Sequence, residues 1–130
     1  MDTPSVEVVS APSESPLPPA ILRSLGDRSY DKRKNAALEI EALIKALQEN
    51  NDTDRICSVI AMLGQDFATS TNANHRKGGL IGLAATAIGL MQDIRLYLDA
   101  LLPPVLHCLD DPESRVRYYS CESLYNSAKV

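Results

Sequence analysis

Apolar residues recur at steps of three and four along most of the chain, which is the spacing of one face of an α-helix. Near the end, one such stripe runs from Leu98 to Leu109 and a second begins at Val116. Asp110, Asp111 and Pro112 separate the two stripes, and proline readily begins a helix that it could not continue. The pattern predicts two helices joined by a short turn. The predicted inner face of the second helix consists of Val116, Ser120, Leu124 and Ala128.

The last hairpin has two relatives earlier in the chain. Arg33 precedes Arg117 by 84 residues, and Arg76 lies about halfway between them, each followed by small and apolar residues at matching positions. The period of about 42 residues falls within the range typical of HEAT and armadillo repeats. The turn aspartate of the last hairpin and its Val116–Arg117 pair also resemble a HEAT repeat. The sequence therefore predicts an all-α fold, a right-handed α-solenoid of about three HEAT-like hairpins.

The turn aspartate recurs six residues before Arg33 as Asp27, whereas the middle copy has Ser70 at this position. Stretches rich in Pro, Ser, Asn and Asp give the boundaries of the other elements. They predict helices over Pro19–Leu25, from a Ser29 cap to Glu49, from an Asp52 or Thr53 cap to Phe67, and over His75–Met91. Residues 1–18 are predicted to be a disordered Pro/Ser-rich tail. Residues 19–130 are predicted to form the repeat domain, with repeats at about 19–50, 51–91 and 93–130.

Composition narrows the possible partners. The net charge of −4 argues against nucleic acid as a binding partner, because nucleic acid requires a concentrated positive face. It also argues against binding to acidic lipid through a polybasic patch. The longest apolar run, Gly78–Met91, has 14 residues and contains internal glycines, so we expect it to be too short to span a bilayer. The three cysteines fall on apolar helical stripes, and we expect them to pack as small, reduced hydrophobic side chains.

No arrangement of residues points to catalysis. His75 to Gly79 lacks the strand that precedes a phosphate-binding loop, and its glycines fall inside a helix. His107, Cys108 and Cys121 lack a fourth ligand at suitable spacing for a closed zinc site. No nucleophile, histidine and acid occur in a recognised order. We therefore expect a protein that is not an enzyme and has no cofactor or metal.

Three stretches carry a more specific resemblance. They are DRSYDKRKNAALEIEALI (Asp27–Ile44), RKGGLIGLAATAIGL (Arg76–Leu90) and SRVRYYSCESLYNSAKV (Ser114–Val130). They resemble the start of the vacuole-morphology scaffold (Vac) family of the PIKfyve/Fab-type lipid-kinase complex. The resemblance covers nearly everything after the proline-rich tail, and it implies that this chain is the N-terminal part of a longer solenoid.

This resemblance implies a non-catalytic scaffold that organises the kinase making phosphatidylinositol 3,5-bisphosphate. It implies kinase-facing repeats here and contacts with the complex's lipid phosphatase through downstream regions. The expected location is cytoplasmic, peripheral on vacuole and endosome membranes through the complex alone. The alternative is a HEAT or armadillo interaction adaptor of another pathway, such as a transport receptor or a phosphatase scaffold.

The second helices of stacked repeats usually line a concave binding side. Aligning the copies on the three arginines places five candidate protein-binding residues on that side: Lys34, Lys77, Tyr118, Glu122 and Tyr125. Tyrosine is enriched where proteins dock, although these tyrosines could equally pack beneath a following repeat. The aligned arginines also allow two interpretations. They could form a basic ladder for an acidic partner, or they could pair with turn aspartates and tie neighbouring hairpins together.

Overall fold

A computed structural model describes residues 15–128, and within this range all regular secondary structure is helical, with no β-strand. The six helices are α1 Pro19–Leu25, α2 Tyr30–Glu49, α3 Thr53–Met62, α4 Ala73–Leu90, α5 Leu98–His107 and α6 Ser114–Ala128. Short segments of other helix types connect them. A π-helical stretch, Leu63–Ala68, continues α3, while 3₁₀ turns cover Met91–Leu96 and Cys108–Asp110. The prediction of an all-α fold is confirmed.

Side-chain caps fix where the long helices begin. Ser29 accepts a hydrogen bond from the Lys32 amide at 3.5 Å, and Asp52 accepts one from the Arg55 amide at 3.2 Å, as the sequence predicted. Asn72 caps α4 by accepting from the Asn74 amide at 2.8 Å, so this helix starts two residues before the predicted His75. Each cap satisfies an amide that has no partner within its own helix.

α4 lies at the centre of the core, in contact with α2 on one side and α6 on the other. Its buried residues include Leu80, Leu83 and Leu90, as predicted. Gly78 and Gly79 allow close approach of other backbone segments: a Cβ on Gly78 would collide with the Leu25 carbonyl, and one on Gly79 would lie 2.5 Å from the Ala68 amide nitrogen. The end of α1 and the π-helical stretch can therefore pack directly against α4.

α4 has neighbouring helices on both sides, but its apolar surface is not buried all round. Ile81 is half-buried and Ile88 is 39% exposed. The apolar run Gly78–Met91, considered alone, was predicted to be too short to span a bilayer. The longer helical segment Ala73–Leu96 has a mean hydropathy of 1.3 and is, by length and composition alone, sufficient to cross a membrane. Burial accounts for its composition, since 56% of its most apolar window is buried and the core helix of a globular domain has the same profile.

The aligned arginines make the same contact in all three hairpins. Each guanidinium Nη1 donates a hydrogen bond to the backbone carbonyl six residues earlier. The pairs are Arg33 with Asp27 at 3.0 Å, Arg76 with Ser70 at 3.1 Å, and Arg117 with Asp111 at 2.7 Å. The sequence period therefore corresponds to a repeated tertiary contact that closes each turn onto the following helix.

The side chain at this turn position has a second recurring role. It accepts a hydrogen bond from the amide two residues later, which orders the turn before the helix. The pairs are Asp27 with Ser29 at 2.8 Å, Ser70 with Asn72 at 3.0 Å, and Asp111 with Glu113 at 2.9 Å. Ser70 thus replaces the aspartate as a hydrogen-bond acceptor, although it brings no charge.

One arginine also links neighbouring hairpins. Arg76 forms an ion pair with Asp111, with Nε 2.6 Å from Oδ1 and Nη2 3.2 Å from Oδ2. This contact agrees with the structural interpretation of the arginines. Arg33 and Arg117, in contrast, bond backbone carbonyls within their own hairpins.

Two sequence expectations about side-chain burial are wrong. Cys108 is buried and donates to the Ala68 carbonyl at 3.2 Å, but Cys57 and Cys121 are exposed. The pKa of the Cys108 thiol is raised to about 11, chiefly by burial and also by the nearby charge of Asp111, while the charge of Arg76 acts in the opposite direction. The inner face of α6 consists of Val116, Tyr119, Ser120, Ser123 and Ser127. The predicted Leu124 is only half-buried and Ala128 is exposed, because Ser123 and Ser127, not those two residues, face the core.

The described chain begins inside the segment that was predicted to be disordered. Leu17 is 1% exposed and belongs to the same apolar core as α1. The remaining residues of that prediction, 1–14, lie outside the described part of the chain.

Candidate protein-binding surface

The five predicted site residues lie on the second helix of each hairpin. Lys34 is on α2, Lys77 is on α4, and Tyr118, Glu122 and Tyr125 are on α6. Tyr118 is 56% and Tyr125 65% exposed, and no further hairpin follows them within residues 15–128, so the interpretation that they pack beneath a following repeat stays a prediction. Lys34 and Glu122 are also exposed, whereas the Lys77 side chain is mostly buried.

Three of the five residues line one cavity of about 450 Å³. We call it the tyrosine–arginine cavity, and its lining consists of Tyr30, Arg33, Lys77, Arg115, Tyr118, Tyr119 and Glu122. Lys34 and Tyr125 do not line it. Three of the candidates therefore line one cavity, whereas Lys34 and Tyr125 lie elsewhere on α2 and α6.

A cluster of aromatic rings and a guanidinium forms one wall of this cavity. The rings of Tyr30 and Tyr119 are nearly parallel, with centroids 6.5 Å apart and an angle of 11° between their planes. The guanidinium carbon of Arg33 is 5.9 Å from each centroid, within cation–π range. Tyr118 meets Tyr119 edge to face at 5.7 Å. The start of α2 thereby contacts α6 across the N-terminal end of α4.

The lining has a positive charge balance, although the whole chain is acidic. Arg33, Lys77 and Arg115 contribute three positive charges, and Glu122 contributes one negative charge. Glu113, outside the lining, lies 3.8 Å from the Lys77 ammonium and partly balances it. Positive charge next to exposed tyrosine rings is suited to binding a protein segment that carries acidic and apolar side chains.

Sequence reasoning did not identify Tyr30, Arg33, Arg115 and Tyr119 as site residues. Arg33 was considered as one of three aligned arginines that could form a basic ladder for an acidic partner, but it was not among the five candidate residues. The alignment on these arginines selected Tyr118 and not the neighbouring Tyr119. No sequence signal indicates that Tyr30 meets Tyr119, because the repeat pattern relates equivalent positions and these two positions are not equivalent.

Exposed apolar side chains extend the surface away from the cavity. Leu38, one turn after Lys34, is 55% exposed, and Ile88 near the end of α4 is also exposed.

Comparison with known proteins gives two kinds of match. Residues 74–130 match a family model described as the Vacuolar 14 Fab1-binding region. "Protein VAC14 homolog" of Arabidopsis thaliana is 54% identical over 116 residues, 89% of this chain and 16% of the relative. Its namesake in Schizosaccharomyces pombe is 46% identical over 112 residues, 85% of this chain and 14% of the relative.

A third relative, "Vacuole morphology and inheritance protein 14" of Saccharomyces cerevisiae, is 48% identical over 113 residues, 85% of this chain and 13% of the relative. The chain therefore spans only 13–16% of the length of these curated relatives. No solved structure matches it.

Proposed function

This chain belongs to the VAC14 family, as its sequence predicted, and on that basis we propose that it is a non-catalytic scaffold segment that binds a Fab1-type lipid kinase. The observation that carries the proposal is the match of residues 74–130 to a Fab1-binding region. That range includes α4 and α6, on which Lys77, Tyr118, Glu122 and Tyr125 lie.

The proposed architecture is a HEAT-like, right-handed solenoid. The repeated arginine-to-carbonyl contact supports it, because three hairpins with equal turn geometry are expected to stack in a regular way. The central position of α4, between α2 and α6, supports the same arrangement. In such a stack the second helices form one continuous side.

The proposed kinase-facing surface is this side, with Lys34, Lys77, Tyr118, Glu122 and Tyr125 as contact residues. Exposure of both tyrosines supports the assignment, since aromatic anchors dominate many interfaces. We propose that the complex makes phosphatidylinositol 3,5-bisphosphate on vacuole and endosome membranes, and that the chain reaches the cytosolic face of these membranes through the complex alone. The name of the yeast relative, which refers to vacuole morphology, supports this location. Contact with a lipid phosphatase belongs to regions outside this chain.

Co-precipitation of the kinase with surface variants tests the proposal. Tyr118→Ala removes an exposed ring, and Lys34→Glu reverses an exposed charge, so each should reduce the recovered kinase several-fold without changing the thermal melt. Leu106→Ala and Arg55→Glu are matched controls, because these residues are exposed on the first helices, α5 and α3. They should leave recovery unchanged.

Equal loss of kinase in site and control variants would contradict the proposed surface. Failure of the unaltered chain to recover kinase, in extracts where the kinase is present, would contradict the proposed function itself. Thermal melts of all variants separate either result from unfolding.

A further inference from the structure

Arg33 is a buried cation without a carboxylate partner among residues 15–128. It is 4% exposed, yet no acidic side chain in that range lies within ion-pair distance. Its Nη1 bonds the Asp27 carbonyl, and two tyrosine rings lie beside it, but its Nε has no hydrogen-bond partner in the described chain. Buried charges in proteins are ordinarily paired, so this arginine calls for a negative group.

The repeat shows what that partner would be. Arg76, one hairpin later, forms an ion pair with the carboxylate of Asp111 in the next turn and donates a hydrogen bond to it from Nη2. The residue equivalent to Asp111 for Arg33 is Ser70, which has no charge. The substitution that interrupts the repeat pattern is thus the one that leaves Arg33 unneutralised.

The tyrosine–arginine cavity gives a ligand access to this region. Arg33 lines it together with Lys77 and the exposed Arg115, while Tyr118 is exposed and Tyr119 buried. These three cations outnumber the carboxylates of Glu122 in the lining and of Glu113 beside Lys77, so the local charge is positive on a chain of net charge −4. A cavity with focused positive charge attracts acidic groups even when the whole molecule repels them.

We propose that this cavity binds an acidic segment of a protein partner. A carboxylate of the segment neutralises the Arg33 side of the cavity, and an adjacent apolar side chain of the segment packs on Tyr118. This inference rests on the proposed function, because the segment is taken to belong to the partner that the scaffold binds. A peptide fits the geometry better than a membrane does. A cavity admits an extended peptide segment more readily than the broad surface of a membrane. The acidic net charge of the chain also opposes its approach to an anionic bilayer.

Binding of a capped ten-residue polyglutamate peptide to the 130-residue chain tests the inference directly, with polyglutamine as the uncharged control. We expect saturable binding, with backbone amide NMR shifts concentrated at Tyr30, Arg33 and Tyr118. Arg115→Gln should weaken binding about fivefold or more. Arg55→Gln, which changes an exposed arginine near the start of α3 that does not line the cavity, should change binding less than about twofold.

Glu122→Gln provides a test that unfolding cannot imitate. Removing the one negative charge of the lining should strengthen polyglutamate binding by about twofold or more. Weaker binding in this variant, equal losses in the Arg115 and Arg55 variants, or shifts spread over the whole surface would overturn the inference. So would binding to anionic lipid vesicles through Arg115 when polyglutamate does not bind.

The two proposals fail separately. If the kinase co-precipitates normally with the Arg115→Gln variant, the acidic-segment inference is wrong and the scaffold function stands. If the unaltered chain binds polyglutamate but recovers no kinase, the cavity is an acidic-peptide site and the proposed partner is wrong.

Discussion

Arg76 and Asp111 are 35 residues apart in the sequence and form a largely buried ion pair, with the Arg76 side chain 14% and that of Asp111 7% exposed. Asp111 also accepts the Glu113 amide, and its carbonyl accepts from Arg117 at 2.7 Å. One residue therefore joins the second hairpin to the third and orders the turn of the third. Such a residue should contribute more to stability than its counterpart in the first hairpin.

Asp111→Asn should destabilise the chain by about 2–4 kcal/mol, since it leaves the Arg76 charge buried without a partner. Asparagine retains a side-chain oxygen for the turn, so the change isolates the charge. Asp27→Asn is the matched control, because Asp27 is 3.8 Å from an exposed Lys32, and such pairs contribute only about 0–1 kcal/mol. Urea denaturation measures both, and equal effects would show that the Arg76 pair has no special role.

Ser70→Asp should raise the free energy of unfolding by about 1 kcal/mol, since it provides the carboxylate that Arg33 lacks and retains the turn acceptor. Ser70→Ala should lower it by about 1 kcal/mol, because the Asn72 amide loses its acceptor. The test is that the two substitutions change the free energy of unfolding in opposite directions. Ser70→Asp melting below Ser70→Ala would show that Arg33 is already satisfied.

Thiol labelling should distinguish the three cysteines. With a pKa of about 11, Cys108 is roughly one part in a thousand thiolate at pH 8, and the thiolate is the reactive form. Cys57 and Cys121 are exposed, so two thiols should react promptly with a maleimide or disulfide reagent in the native protein and three in denaturant. In the Cys108→Ser variant, two thiols should still react promptly in the native protein. If only one reacted, the protected thiol would be Cys57 or Cys121 and not Cys108.

At position 91, replacement by glycine should give a more stable protein than replacement by alanine. Met91 follows α4 with φ 55° and ψ −126°, a conformation that strains residues with a Cβ, and its side chain is 63% exposed. Met91→Gly should therefore be more stable than Met91→Ala by about 1 kcal/mol. Helical positions show the reverse order, so thermal melts in which alanine is the more stable variant would contradict the strained geometry.

The helices and their caps could be predicted because the signals are local. The spacing of apolar residues, the Ser29 and Asp52 caps and the glycine after Leu25 all act within one or two turns. The face of α6 was predicted wrongly because serine can be buried when the neighbouring backbone is close. Ser123 and Ser127 are buried although their side chains are polar, whereas the predicted Leu124 is half-buried and Ala128 is exposed.

The candidate site was only partly predictable. Lys77, Tyr118 and Glu122 were found by aligning equivalent positions, which places residues on one face but does not measure how closely the faces approach. Arg33 and Tyr119 lie on different helices, and how closely α2 and α6 approach results from the packing of many side chains and not from one local signal.

The contact of Tyr30 and Arg33 with Tyr119 also changes how this chain should unfold. In most repeat arrays each unit touches only its neighbours, so the ends fray independently and stability adds up unit by unit. Here the first and third units touch directly. Loss of α2 would release Tyr119 as well, so the two ends should melt in one transition. Deleting the middle hairpin would not produce a shorter version of the same array, because the contact between the ends depends on the α4 that separates them.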